Sequence, residues 1–234
     1  EALLEELGNS YPGIQFRVCH MNPISLGSKT PPPVSIQNNL YSLLEPAQDR
    51  DSGVNAVGNL EPVALSSELY PFLNTYGAGE LRHISRYTVY EQYQEMSRSR
   101  ANLVIGPPGR QAAGQMEERL GIPWVFIPVS YDMEEIAGGY ARLKQLLAPD
   151  AEDCFDFAPA RERALKAVER ARRRVGDIPV IIDASATVQP FGMAKALLTY
   201  GFQVTRVEAQ DCMPFDREHM EWLVRNHPKV EICQ

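Results

Sequence analysis

The feature that most restricts this chain is an alternation of short apolar runs and amphipathic helical stretches between Val54 and Leu147. Val54–Gly58 (VNAVG) is an apolar run closed by a turn residue. Ser66–Tyr76 then places Leu69, Phe72, Leu73 and Tyr76 at helical spacing, and Gly77-Ala78-Gly79 stops it. Leu81–Ser85 reads as a second strand, and Tyr90–Ser97 as a short helix with Tyr90, Tyr93 and Met96 on related faces. Ala101–Ile105 is a third strand. The helix after it, Arg110–Leu120, carries Ala112, Ala113, Met116 and Leu120 on one stripe and ends at Gly121. Trp124–Val129 and Glu134–Leu147 form a fourth pair, the helix striped by Ile136, Tyr140, Leu143 and Leu147. Strands alternating with helices over short loops predict a parallel sheet covered by helices on both faces.

The rhythm breaks at Ala148–Pro159, where Asp150, Glu152, Asp153 and Asp156 stand beside prolines without a helical stripe. Arg161–Val175 is a basic helix edged by Leu165, Val168, Ala171 and Val175. Beyond it lies a second alternation: strand Pro179–Ala184, helix Phe191–Tyr200, strand Gln203–Glu208, helix Phe215–Arg225 with Met220, Leu223 and Val224 inward, and strand Val230–Cys233. Upstream, Ala2–Leu7 is helical in character, Ile14–Val18 reads as a short strand and Val34–Leu44 as a helix. The expected organisation is the end of a preceding α/β domain over 1–50, a complete four-stranded domain over 51–149, a linker and crossover helix over 150–177, and the start of a further domain over 178–234. A first residue of Glu and an unfinished sheet at the other end give the expectation of a chain truncated at both ends.

Composition narrows the function classes. Hydrophobic residues make up 44% and charged residues 23%, which excludes disorder as the main state. The longest apolar runs, such as Ile178–Ala184, fall far short of the ~20 residues a membrane-spanning helix needs, so no membrane partner is expected. A formal charge of −7 argues against a whole-surface nucleic-acid binder, and the basic helix reads as a solvated crossover. Cys19, Cys154, Cys212 and Cys233 lie far apart with no CxxC pair, and the start of the given sequence does not read as a secretory leader. The expected location is therefore a reducing cytoplasm.

In open parallel sheets, ligands gather at the C-terminal ends of strands. That rule selects Cys19–Thr30, Gly58–Glu61, Gly106–Arg110 and Asp183–Gln189, with Ser28, Lys29 and Asn59 as candidate binding residues. The strongest segment is Gly106-Pro107-Pro108-Gly109-Arg110. Its glycines permit close backbone approach, the helix N-terminus offers N–H groups, and Arg110 adds a cation for a carboxylate or phosphate. The same residues equally suit a tight strand-to-helix turn with no ligand. Ser25–Thr30 (SLGSKT) lacks the spacing of a phosphate loop, and no GxGxxG or GxSxG element is present. Cys19 ends a strand beside His20 and could ligate a metal or cluster, or simply pack. Asp183 could be catalytic or could cap the next segment.

The text VNAVGNLEP, LRHIS and SRSRANLVIGPPGRQAAGQMEERLGIPWVFIPVSYDMEEIAGGYARLKQL resembles the middle domain of nitrogenase component 1 subunits and their relatives. These relatives include cofactor-assembly scaffolds and the dark-operative protochlorophyllide and chlorophyllide reductase subunits. CHMNPISLGSKTPP resembles the end of that family's first domain, and PVIIDASATVQPFGMAKALLTYGFQVTRVEAQ the start of its third. The resemblance implies consecutive Rossmann-like domains, an α/β fold in which each parallel sheet is flanked by helices. It further implies a homologous or identical partner subunit and electrons delivered by an ATP-dependent iron protein. An iron–sulfur cluster is implied for the parent protein. Its ligands would lie mostly upstream, so this fragment could hold none, and Cys19 is the one metal candidate.

The resemblance places Gly106 where catalytic nitrogenase has the cysteine that binds its metallocofactor. A nitrogenase-like oxidoreductase other than nitrogenase is therefore expected. Gly106–Arg110 would face the cleft and meet an anionic cofactor or tetrapyrrole carboxylates. Whether the chain turns anything over stays open. A cofactor-assembly scaffold of the same fold, a bilobal small-molecule binding protein and a sugar-nucleotide glycosyltransferase are the competing readings.

Overall fold

A computed structural model describes residues 2–18 and 30–233, which divide into two compact units. The first comprises residues 1–127 and 143–150, and the second residues 128–142 and 151–234.

In the first unit, helices α1 (Ala2–Ser10) and α2 (Pro32–Ser42) precede strand β1 (Val54–Val57). Then come α3 (Leu69–Thr75), β2 (Leu81–Arg82), α4 (Tyr90–Gln94), β3 (Ala101–Val104), α5 (Gly109–Leu120) and β4 (Trp124–Phe126). The four strands are parallel in the order β2-β1-β3-β4. Every residue of β1, β2 and β3 is buried, as expected of strands covered on both faces. On one side Val57 and Val104 join a cluster built by Tyr41 of α2, Tyr93 of α4, and Ala113 and Met116 of α5. Gly121 ends α5 in the left-handed conformation (φ 67°), its N–H donating to the Glu117 carbonyl at 2.8 Å.

A row of polar side chains crosses this buried sheet in register: Asn55 lies opposite both Arg82 and Asn102. Asn55 Nδ2 donates to Asn102 Oδ1 (2.8 Å) and to the Met96 carbonyl (2.9 Å), and its Oδ1 accepts from Ser99 Oγ (2.8 Å). Arg82 reaches Ser99 Oγ and forms a two-pronged pair with Asp51 at 3.0 and 2.8 Å. A shift by one residue would break each of these bonds, so the row fixes register where apolar residues alone would tolerate slippage.

In the second unit, α6 (Met133–Leu147) begins, while its residues from Leu143 onward belong to the first. It is followed by α7 (Ala158–Val175), β5 (Val180–Asp183), α8 (Pro190–Thr199), β6 (Val204–Glu208), α9 (Arg217–Asn226) and β7 (Glu231–Cys233). Its three strands are parallel in the order β5-β6-β7. Ile182, Val204 and Val207 pack with Phe191 and Ala194 of α8 and Leu223 of α9, whereas Ile181 is 57% exposed on the opposite face.

Several sequence expectations change. The strand expected over Leu81–Ser85 stops at Arg82, because Ser85 N–H donates to His83 Nδ1 and turns Ile84–Arg86 into a 3₁₀ turn. The helix expected over Tyr90–Ser97 tightens into a 3₁₀ turn at Glu95–Arg98. The helix expected from Ser66 begins at Leu69, and the strand expected to Val129 ends at Phe126. Ile14–Val18 joins no sheet. Val224, expected inward with Met220 and Leu223, is 57% exposed, while Leu223 is fully buried as expected.

Candidate functional site

The β1 and β3 ends meet backbone to backbone. Gly58 has φ of 97°, outside the range of ordinary side chains. A Cβ placed on Gly106 would stand 2.0 Å from the Gly58 carbonyl oxygen, and one on Gly109 would stand 2.5 Å from Gly58 Cα. The glycines that mark this segment in the sequence thus serve a close crossing of two loops. The first amides of α5 are also spent locally: Gly109 N–H donates to the Gly106 carbonyl (3.0 Å) and Arg110 N–H to the Pro107 carbonyl (3.2 Å).

Two cavities adjoin this crossing, and the first turn of α2 walls both. One, of about 490 Å³, is bordered by Thr30, Pro31, Pro107, Arg110 and Trp124. Arg110 lies with its guanidinium carbon 4.9 Å from the centre of the Phe126 ring, an exposed cation resting on an aromatic face. The other, of about 380 Å³, is bordered by Ile36, Gln37, Gly58, Asn59, Glu61 and Pro108. The expected site residues are therefore shared out, with Pro107 and Arg110 on one cavity and Gly58, Asn59 and Pro108 on the other. Asn59 Oδ1 is occupied by its own turn, accepting from Leu60 N–H (2.8 Å) and Glu61 N–H (3.3 Å). Ser28, Lys29 and Cys19 lie outside the described residues.

Two buried side chains that sequence reasoning misses shape the loop after β1. Gln37, 3% exposed, accepts the Gly58 N–H through Oε1 at 3.2 Å. The Gln37 and Tyr41 spacing of four residues on one helix face is the available signal. His83, 1% exposed, has Nε2 3.2 Å from the Asn59 carbonyl, while Nδ1 accepts from Ser85 N–H. That pairing defines a neutral ring with the proton on Nε2, and burial pushes its pKa below the usual histidine value.

The second unit holds an ionic chain. Glu135 Oε1 accepts from Lys195 Nζ (2.6 Å) and His219 Nε2 (2.8 Å), and Oε2 accepts from Ser130 Oγ (2.6 Å). Burial opposes ionisation, yet the hydrogen bonds from Lys195, Ser130 and His219 outweigh it and hold Glu135 at about 2. His219 Nδ1 faces Asp216 Oδ1 at 2.8 Å, so both ring nitrogens meet carboxylates. The Asp216 bond chiefly raises the His219 pKa, favouring the imidazolium. Asp216, fully buried, also accepts the Phe191 and Gly192 N–H groups at 3.0 and 2.8 Å, capping α8 from outside its own helix. Asp183 instead caps a local turn through Ser185 N–H. These partners lie up to 84 residues apart, and no spacing rule could have joined them.

Among the described residues, no group of three His, Cys, Asp or Glu side chains is placed to hold a metal ion, and Cys154, Cys212 and Cys233 form no disulfide with one another. No described helix is long and apolar enough to cross a membrane.

Parallel sheets bounded by helices, with loops at the strand ends, define an open α/β architecture that hosts many unrelated functions. Residues 26–234 match the family model described as nitrogenase component 1 type oxidoreductase, and the chain belongs to that family. A solved structure described as "Nitrogenase Cp1 at pH 6.5" aligns at a TM-score of 0.67 with 15% identity, covering 99% of this chain. The alignment covers 54% of that solved chain, so this chain spans about half its length, and the likeness shows the fold alone. A second, "Nitrogenase Cp1 at pH 5", aligns over 80% of this chain and 39% of its own at 15% identity and a TM-score of 0.45. The comparison with curated proteins finds no match.

Proposed function

We propose that this chain is part of a nitrogenase-like oxidoreductase other than nitrogenase, and that it supplies one wall of the pocket where a bound cofactor or substrate is reduced. The observation that carries the reading is the Gly58–Gly106 crossing. The resemblance puts a cofactor-binding cysteine of nitrogenase at Gly106, and here even a Cβ would collide with the Gly58 carbonyl at 2.0 Å. A thiolate ligand has no room at this position, so a ligand held there is gripped otherwise. Arg110 offers a charge-assisted contact to an anionic group, and its stacking on Phe126 limits the rotamer freedom lost on binding. Lys29, adjacent in sequence to the cavity-lining Thr30, and Ser28 are the further polar groups assigned to that ligand.

In this reading the full-length protein works with a homologous or identical subunit in the cytoplasm and accepts electrons from an ATP-driven iron protein. The described residues do not fit an iron–sulfur cluster, since they present no ligand set for one. A cluster would require ligands elsewhere, with Cys19 as the one further candidate in this chain. The contribution of the described residues is to bind and orient what is reduced. The test is iron and acid-labile sulfide in the anaerobically purified full-length protein, paired with ATP-dependent reduction by an iron protein. Near-equal iron and sulfide with ATP-dependent reduction is expected. A full-length protein with neither metal nor sulfide overturns the redox reading and leaves a ligand-binding role.

A further inference from the structure

We propose that the 380 Å³ cavity beside the Gly58 loop is a binding site for a neutral, ring-sized molecule bearing a carbonyl group, with Gln37 as the residue that selects it. This site borders the start of α2 and the Pro107–Pro108 turn, as the Arg110 cavity of the proposed redox pocket does, but no lining residue is common to both and their charge preferences are opposite.

The orientation of one amide sets the first demand on the ligand. Gly58 N–H is a donor, so the Gln37 end facing it is the carbonyl oxygen Oε1. That bond fixes the other end, and Nε2 has no hydrogen-bond partner among the described residues. Gln37 is 3% exposed, yet it borders the cavity. Nε2 is not among the buried atoms left without a partner, so the small exposed part of Gln37 includes this nitrogen. A cavity-bound acceptor can take its hydrogen bond in place of water. Gln37 cannot rotate to become an acceptor there without abandoning Gly58, so the site demands an acceptor from its ligand.

The remaining walls define the rest of the molecule. Pro33, Ile36, Leu60 and Pro108 give flat apolar surface of the kind that holds a ring, and the volume lies within the usual range for small-molecule sites. Glu61 at the rim favours a donor and repels an anion. A ring carboxamide meets all these demands: its carbonyl accepts from Gln37, its NH₂ donates towards Glu61, and it carries no charge. A ring carboxylate satisfies Gln37 but opposes Glu61.

The probes are 4-fluorobenzamide and 4-fluorobenzoate, titrated by ¹⁹F NMR against the 234-residue chain. The expected result is saturable binding of the amide, at least about tenfold tighter than the carboxylate. Gln37→Glu keeps an oxygen acceptor for Gly58 N–H but removes the donor, and amide affinity should fall at least about tenfold. Glu61→Gln alters only an exposed side chain, and should bring the carboxylate within about threefold of the amide. Glu61→Gln therefore keeps the test decisive if Gln37→Glu fails to fold. Absence of saturable amide binding overturns the proposal. So does amide binding unaffected by Gln37→Glu in a folded protein, or an amide-to-carboxylate ratio unmoved by Glu61→Gln. Arg110→Ala leaves amide binding unchanged, so failure here and failure of the redox reading give separate signatures.

Discussion

The two sheets of this chain are built from the same alternation, yet they are fixed in place by different means. In the first unit β1, β2 and β3 are buried along their whole length, and their alignment depends on the Asn55–Asn102–Arg82 row and on the glycine crossing at the strand ends. In the second unit the strands alternate between buried and exposed residues, and the helix starts carry the fixing groups: Asp216 caps α8 and, through His219, holds Glu135. A sheet covered on both faces hides polar groups from water, so a single deletion in the row costs much, although Asn102 Nδ2 is already without a hydrogen-bond partner there. A sheet with an open face can add partly solvated charges such as Lys195 and Glu135, whose individual removal matters less than that of the buried Asp216.

The histidines sharpen the contrast. His83 is buried neutral, whereas His219 is held between two carboxylates as a cation. Their contributions to stability respond to pH in opposite directions.

The largest expected effect is from Gly58→Ala, which places a side chain at φ 97° and 2.2 Å from the Gly106 carbonyl. It should cost about 4 kcal/mol in chemical unfolding of the first unit. Asn55→Ala strips partners from Ser99, Asn102 and the Met96 carbonyl inside a dry sheet. A loss of about 3 kcal/mol is expected, and a loss below about 1 kcal/mol would show that the row does not fix register. Asp216→Ala uncaps α8 and frees one side of His219, with an expected cost of about 2 kcal/mol confined to the second unit.

The smallest effect is the pH response, read from urea midpoints of each unit. His83 has its pKa lowered below 6.5, so its contribution is present above 6.5 and is lost as pH falls through the folded value. His219 has its pKa raised above 6.5, so its contribution is complete below 6.5 and is lost as pH rises through the folded value. Glu135, lowered from 4.5 to about 2, adds an acid limb to the second unit as pH falls between those values. Two units moving together between about pH 5 and 8 would contradict this assignment.

Much of the architecture was legible because the hydrophobic period changes cleanly between strand and helix. Gly121 marked a helix end because only a left-handed cap closes α5 there. What stayed hidden depends on contacts distant in the chain. His83 leaves the strand through a side-chain bond that competes with the ladder, and hydrophobicity does not register that competition. The segment Gly106–Arg110 was legible as special, but the reason for its glycines was not. Its close approach is to Gly58, and only the fold brings the two together. Gln37 reads as an ordinary polar helix residue until Gly58 N–H is found to need it.

The central claim is that Gly106 is a packing position with no room for a ligand atom. The most direct measurement is the unfolding free energy of Gly106→Cys beside Gly114→Ala, a helical glycine with nothing within 4 Å of its added Cβ. Gly106→Cys is predicted to lose about 3 kcal/mol. Gly114→Ala should gain about 0.5–1 kcal/mol. A Gly106→Cys protein of unchanged stability, with a freely reactive thiol, would contradict that claim and return the cysteine-ligated cofactor to this fold.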